Sequence, residues 1–194
     1  MVTEVPRRAN YDLTNSTERG EREDIYESSK HCDSNNENRC GKTWWYQFYF
    51  ATDRGQAGYD KYRHDFAKLI WQLASPKWNF DDATFDRSAA SFENPDHVAI
   101  TIHNYRWRQG LAEGEAKYDD LEKRLAAAPV IGVPTITLEG DANGAPHPDP
   151  SSYAKKFSGR YANRIVTGGI GHNLPQEAPQ AFAQAIVDVD SYSI

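Results

Sequence analysis

The sequence predicts an α/β fold in which a helical segment comes first and part of a parallel sheet follows. One amphipathic helix is indicated by apolar residues at three- and four-residue spacing, namely Tyr62, Phe66, Leu69, Ile70 and Leu73. After Pro129 the pattern changes to a β-branched run at residues 130–138, which is typical of a buried strand. Helices followed by strand, helix, strand and helix indicate a helical subdomain joined to the edge of a parallel sheet.

The helical segment is expected to contain four helices. The first ends before Pro76, because the residue that precedes a proline disfavours the helical conformation. Asp82 is expected to be the N-cap of a second helix that extends to Phe92. Pro95 suits the first position of a third helix, which is expected to carry Val98, Ile102 and Tyr105 on one face. A fourth helix covers residues 117–127.

The C-terminal segment is expected to continue the alternation of strands and helices. Its predicted elements are a strand at 130–138, a loop at 139–144, a helix near 151–157, a strand at 164–167, a glycine turn at 168–171 and a helix at 177–188. These two strands alone would leave a sheet edge with apolar flanks, so we expect an incomplete core and association through that edge, including homo-oligomers.

Residues 1–43 differ in composition from the rest of the chain. They are rich in Asn, Ser, Glu and Arg and contain few large apolar residues, so we expect disorder with at most a short helix at 21–28. The segment has no apolar stretch typical of a signal peptide. Cys32 and Cys40 lie in it and are expected to be unpaired thiols without the further ligands of a metal site.

Composition excludes several function classes. The formal net charge of −6 argues against a nucleic-acid surface. No apolar run approaches the ~18 residues of a membrane-spanning helix. The sequence therefore predicts a cytoplasmic protein without metal or organic cofactor.

His172 is the most specific candidate for chemistry. It directly follows a predicted strand and the turn Gly168-Gly169-Ile170-Gly171. Open α/β sheets place their sites on loops at the carboxyl ends of strands, and an imidazole there can act as a general base near neutral pH. The alternative is a surface or helix-capping histidine.

The C-terminal segment resembles the end of an α/β-hydrolase. The likeness lies in the strand with its Gly140 loop, the second strand, Gly-His-Asn at 171–173 and Pro-Gln-Glu-Ala-Pro at 175–179. In that family the order along the chain is nucleophile, acid, histidine, so the resemblance makes His172 the triad histidine. It also divides the chain into a tail at 1–43, a helical cap at 44–127 and the C-terminal part of the core at 128–194.

Two stretches of the cap are similar to epoxide hydrolases. Trp45-Tyr46-Gln47-Phe48-Tyr49-Phe50 resembles a stretch whose first tyrosine points into the active site, and Asn104-Tyr105-Arg106 resembles the place of the second cap tyrosine. Epoxide opening produces an alkoxide, which needs a hydrogen-bond donor as charge develops. The resemblance implies that Tyr46 and Tyr105 are these donors, and the alternative is that both belong to the apolar core.

The acid of the triad has no obvious candidate. The family's Gly-x-x-Asp loop places Asn143 where the aspartate is expected, and an asparagine can orient an imidazole but cannot carry the charge that stabilises an imidazolium. Asp141 is the nearest replacement, and Asp149 is more remote. The predicted catalytic set is therefore His172, Asp141, Tyr46 and Tyr105.

The nucleophile has no counterpart in these residues. No Gly-x-Ser/Asp-x-Gly pentapeptide is present, so serine and aspartate both stay open. The resemblance implies hydrolysis of a small apolar epoxide, or a related ester or halide, through a covalent alkyl-enzyme. This chain, whether a natural short form or a truncated reading frame, is expected to be inactive, and the alternative is a non-catalytic module that binds a hydrophobic ligand or a partner hydrolase.

Overall fold

The structure, a computed structural model, describes residues 44–145 and 149–192. The predictions for residues 1–43, including the short helix and the two cysteines, lie outside this range. Within the described ranges, no helix is both long enough and apolar enough to span a membrane.

Helices make up the first part of the described chain. They are α1 (Trp45–Phe50), α2 (Asp53–Ala74), α3 (Asp82–Ala89), α4 (His97–Arg108) and α5 (Asp119–Ala126), with 3-10 turns at Ala90–Glu93 and Ala116–Tyr118. The long helix α2 is kinked at Tyr62, whose backbone is not helical. It ends at Ala74, as predicted from Pro76, and its N-cap Thr52 accepts a hydrogen bond from the Gly55 amide.

Two predicted helix boundaries were wrong. The N-cap of α3 is Asp81, whose Oδ1 accepts a hydrogen bond of 2.8 Å from the Thr84 amide, and Asp82 is the first helical residue. Helix α4 begins at His97 rather than at Pro95, because the Asn94 side chain accepts from the Asp96 amide at 2.9 Å and forms a turn before the helix.

A parallel two-stranded sheet follows the helices and confirms the α/β class. The elements are β1 (Thr135–Gly140), α6 (Pro150–Tyr153), a 3-10 turn (Ala154–Lys156), β2 (Tyr161–Val166), α7 (Leu174–Glu177) and α8 (Pro179–Asp190). In the register of the sheet, Thr135 pairs with Tyr161 and Gly140 pairs with Val166. Within the described residues each strand has one neighbour, so the predicted association through a free edge stays a prediction.

Both predicted strands were misplaced. The first starts at Thr135 rather than at residue 130, because Pro134 has no amide to donate and Val133 is 65% exposed. An isolated bridge between Ile131 and Phe157 precedes it. The second strand begins at Tyr161, three residues before the predicted start.

Aromatic side chains form the interior of the helical part. Phe50, Tyr59 and Ile102 are buried, and the residues that pack against them are Tyr46, Tyr49, Phe66, Val98 and Tyr105. We call these eight residues the aromatic cluster. They confirm the predicted apolar face of α4.

A second group of rings surrounds Phe85 of α3, which is fully buried. Ring centroids lie 5.1 Å away for Trp71 and 5.0 Å away for His64. Phe80 and Phe92 lie farther out, each at 6.2 Å. This packing joins α3 to the second half of α2.

We predict that Phe85→Ala lowers the free energy of unfolding by ~3–5 kcal/mol, because it leaves a cavity between α2 and α3. Urea unfolding followed by near-ultraviolet circular dichroism measures the change. Phe48→Ala is the matched control, since Phe48 is 62% exposed. The control should change stability by no more than about 0.5 kcal/mol. Equal losses in both variants would contradict this packing.

Candidate active site

The candidate active site is centred on residues 168–173, which we call the base loop because it carries His172. One residue separates the loop from the end of β2. Its first two residues, Gly168 and Gly169, have φ angles of +114° and +84°, a conformation that favours glycine. The sequence thus turns the chain sharply at the carboxyl end of β2.

The carboxylate of Asp141 holds the first half of the base loop. Asp141 follows β1, and its oxygens accept hydrogen bonds from the amides of Gly168 at 3.1 Å, Gly169 at 2.9 Å and Ile170 at 2.9 Å. Partial desolvation raises the pKa of Asp141, but the three amides and nearby Lys77 outweigh it, so the pKa lies below its ordinary value.

Ser75 and Glu177 hold the second half of the base loop. The Glu177 carboxylate accepts from the amides of Gly171 at 2.7 Å and Asn173 at 2.9 Å. The hydroxyl of Ser75 accepts from the His172 amide at 2.9 Å and donates to Glu177 at 2.7 Å. All six amides of the loop therefore donate to one of three side chains.

The end of α2 lies directly against the base loop. Ser75 is its C-cap residue and is only 1% exposed. A Cβ atom on Gly171 would lie 2.5 Å from the Ser75 Cα, so only glycine permits this approach. The loop after β1 also contacts the end of α2, because the Gly144 amide donates a hydrogen bond to the Ala74 carbonyl at 2.8 Å.

The imidazole of His172 is exposed, and the structure places Asn143 beside it. The distance from Nδ1 to the Asn143 Oδ1 is 3.3 Å. The same Oδ1 accepts from the Ala145 amide at 3.0 Å, which identifies it as the acceptor oxygen. Nδ1 therefore carries the proton in the neutral ring, and Nε2 is left as the basic atom.

The two candidate aspartates make other contacts. Among the described residues no hydrogen bond joins the carboxylate of Asp141 to His172, so a role as triad acid stays a prediction. Asp149 is the N-cap of α6 and accepts from the Ser151 amide at 2.9 Å. In the described ranges, no group of three or more His, Cys, Asp or Glu side chains could hold a metal ion.

The structure brings the two predicted tyrosines together. The rings of Tyr46 on α1 and Tyr105 on α4 are nearly perpendicular, with centroids 5.5 Å apart. Both contact Phe50 of the aromatic cluster. Burial raises the pKa of Tyr46, and nearby Tyr105 raises it further, so this phenol stays protonated.

The tyrosine pair and the base loop are joined by α2. Its residues Tyr59 and Phe66 contact Phe50, which packs against both tyrosines, and its C-cap Ser75 binds the His172 amide. Among the described residues no hydrogen bond or ring contact links either tyrosine directly to His172.

Ser75 and Glu177 were missed as site residues in the sequence. In the sequence, Ser75 indicated only where a helix ends. Its partner Glu177 lies 102 residues further along the chain. A local signal existed for Glu177, because an acid shortly after Asn173 can accept from the amide at the start of a helix, as in a capping box. No comparable local pattern pointed to Ser75.

Comparison with solved structures identifies the fold. A crystal structure of a candidate epoxide hydrolase from Klebsiella pneumoniae subsp. pneumoniae MGH 78578 is 59% identical to this chain, with a TM-score of 0.78. This chain is related to the α/β-hydrolases of the epoxide-hydrolase type. The match covers 84% of this chain and 54% of the other, so the epoxide-hydrolase-like chain spans about half of that structure's length. No family model and no curated protein matches.

This relationship confirms the predicted resemblance and fold class. The helices α1–α5 and the sheet that follows them are a helical cap and the C-terminal part of an α/β-hydrolase fold. The predicted boundaries of these parts, and the catalytic role of each residue, stay predictions.

We predict that Asp141→Asn destabilises the chain at pH 7, because an amide nitrogen cannot accept hydrogen bonds from the base loop. The depressed pKa of Asp141 means that its stabilising effect is complete above the unfolded-state pKa and is lost as pH falls through the folded-state pKa. The difference in Tm between wild type and variant should therefore shrink at acidic pH. Thermal unfolding across the pH range measures it.

Asp120→Asn, on the exposed surface of α5, is the matched control. It should leave Tm nearly unchanged at every pH. A Tm difference for Asp141→Asn that grows on acidification would contradict the assigned contacts.

Proposed function

We propose that this chain provides the substrate-holding and base portions of an epoxide-hydrolase site. The observation that carries the proposal is the partly buried pair of Tyr46 and Tyr105, with ring centroids 5.5 Å apart. The relationship to an epoxide-hydrolase-like fold supports it. The substrate class is a small apolar epoxide, since the pair is set among aromatic rings.

The chemical role of each group follows from whether it carries a proton. Opening of an epoxide builds negative charge on oxygen, and two protonated phenols can donate hydrogen bonds to it. Nε2 of His172 is the basic atom and can accept a proton from the water that cleaves an alkyl-enzyme ester. Asn143 keeps the ring in the required tautomer but adds no negative charge beside it.

We further propose that the chain binds epoxides without hydrolysing them. No Gly-x-Ser/Asp-x-Gly pentapeptide is present in its 194 residues, so no residue here takes the place of the hydrolase nucleophile. A base and two hydrogen-bond donors can hold and polarise an epoxide, but formation of a covalent ester requires the nucleophile.

A second candidate function is a non-catalytic module for hydrophobic ligands. An open groove beside the aromatic cluster supports it, and the apolar residues that line it are Trp45, Tyr49, Tyr62, Phe66 and Leu69. Tyr62 and Leu69 are 55% and 41% exposed, so apolar surface is available there. A ligand in this groove would need no hydrogen bond from the tyrosine pair.

We predict that the full chain binds styrene oxide and that Tyr46→Phe and Tyr105→Phe each weaken binding about 3- to 10-fold, the value of one hydrogen bond. Titration calorimetry gives the Kd. Ethylbenzene, which lacks the oxygen, should bind wild type and both variants alike. Tyr118→Phe is the control, since Tyr118 is 47% exposed and lies outside the aromatic cluster.

Different outcomes separate the candidates. Loss of both ligands in Tyr62→Ala, with no effect of the phenol substitutions, would favour the hydrophobic groove. Formation of diol from styrene oxide that disappears in His172→Ala would contradict the proposed inactivity.

A further inference from the structure

We infer that Ser75 and Glu177 are positioning residues that set the tautomer and direction of the His172 imidazole, so that the cap helix α2 fixes the base. The inference rests on the proposed role of His172 as the base. It assigns a task to two side chains outside the predicted catalytic set.

The Ser75 hydroxyl accepts one hydrogen bond and donates another. Its Oγ accepts from the His172 amide at 2.9 Å and donates to Glu177 Oε1 at 2.7 Å. Only a group that both donates and accepts can join these partners. Because the residue is 1% exposed, water has little access to replace the hydroxyl.

Glu177 fixes the backbone on both sides of His172. One carboxylate oxygen accepts from the Gly171 amide at 2.7 Å, and the other accepts from the Asn173 amide at 2.9 Å. An ionised carboxylate accepts at both oxygens, whereas a glutamine would present a donor to one of these amides.

The imidazole itself has little to hold it. It is exposed, and its contact with Asn143 is 3.3 Å long. One such bond on an exposed ring is too weak to select an orientation without a fixed backbone. The direction of the His172 side chain therefore depends on the amides that Ser75 and Glu177 hold.

The end of α2 binds the backbone beside both residues of the contact between His172 and Asn143. Ser75 binds the His172 amide, and the preceding carbonyl of Ala74 accepts from the Gly144 amide, next to Asn143. A small displacement of this helix end therefore changes the distance between the imidazole and its orienting amide. The position of the end of α2 therefore affects which tautomer His172 adopts.

The test uses the full chain, labelled with ¹⁵N, without ligand. Imidazole nitrogen shifts are measured at a pH above which they no longer change, so that the neutral ring is observed. The His172 signals are assigned by their loss in His172→Gln. Wild type should show one dominant tautomer with the proton on Nδ1.

Ser75→Ala and Glu177→Gln should each lose this pattern, with the two nitrogen shifts converging as the tautomers mix. The matched controls are Ser91→Ala and Glu93→Gln, whose parent residues lie on the exposed surface of the cap. They should keep the wild-type pattern. Near-ultraviolet circular dichroism establishes that each variant is folded.

Two results would overturn the inference. One is a wild-type tautomer pattern in folded Ser75→Ala and Glu177→Gln. The other is a mixture of tautomers in wild type itself, which decides the matter even if neither variant folds. Both results are measured without ligand. A failure of this inference is therefore distinguishable from a failure of the tyrosine pair to bind an epoxide.

Discussion

The organisation of the site depends on acceptors for the amides of the base loop. A loop that leaves a strand has no ladder or helix to satisfy its backbone, and unsatisfied buried amides are costly. Here Asp141 supplies acceptors for the first three amides, and Ser75 and Glu177 supply them for the last three. Three side chains from separate parts of the chain thereby place His172 at the carboxyl edge of the sheet.

The cap and the sheet are coupled by the long helix α2. Its residues Tyr59 and Phe66 pack in the aromatic cluster around Phe50, while its C-cap Ser75 lies against the base loop. The tyrosine pair is built on the same cluster. The tyrosine pair and His172 therefore share one structural support although they do not contact each other, and this arrangement suits the proposed site between a cap and a core.

The sequence was sufficient where local pattern carries the information. Helical periodicity located α2 and the apolar face of α4, and the glycine turn after a strand singled out His172. Errors arose where neighbours compete, since Asp81 and Asp82 are both suitable N-caps and only the structure shows which one bonds. The Ser75–Glu177 bond has no local signature, because its two residues meet only after α2 and the sheet have packed together.

Hydrogen exchange of the six base-loop amides tests the central claim most directly. If Asp141, Ser75 and Glu177 hold residues 168–173, these amides should exchange about as slowly as those paired between β1 and β2. Glu113 and Gly114, which are exposed in the loop after α4, give the comparison for an exposed segment. Exchange of the base-loop amides as fast as in this segment would contradict the account, and protection equal to that of the sheet would support it.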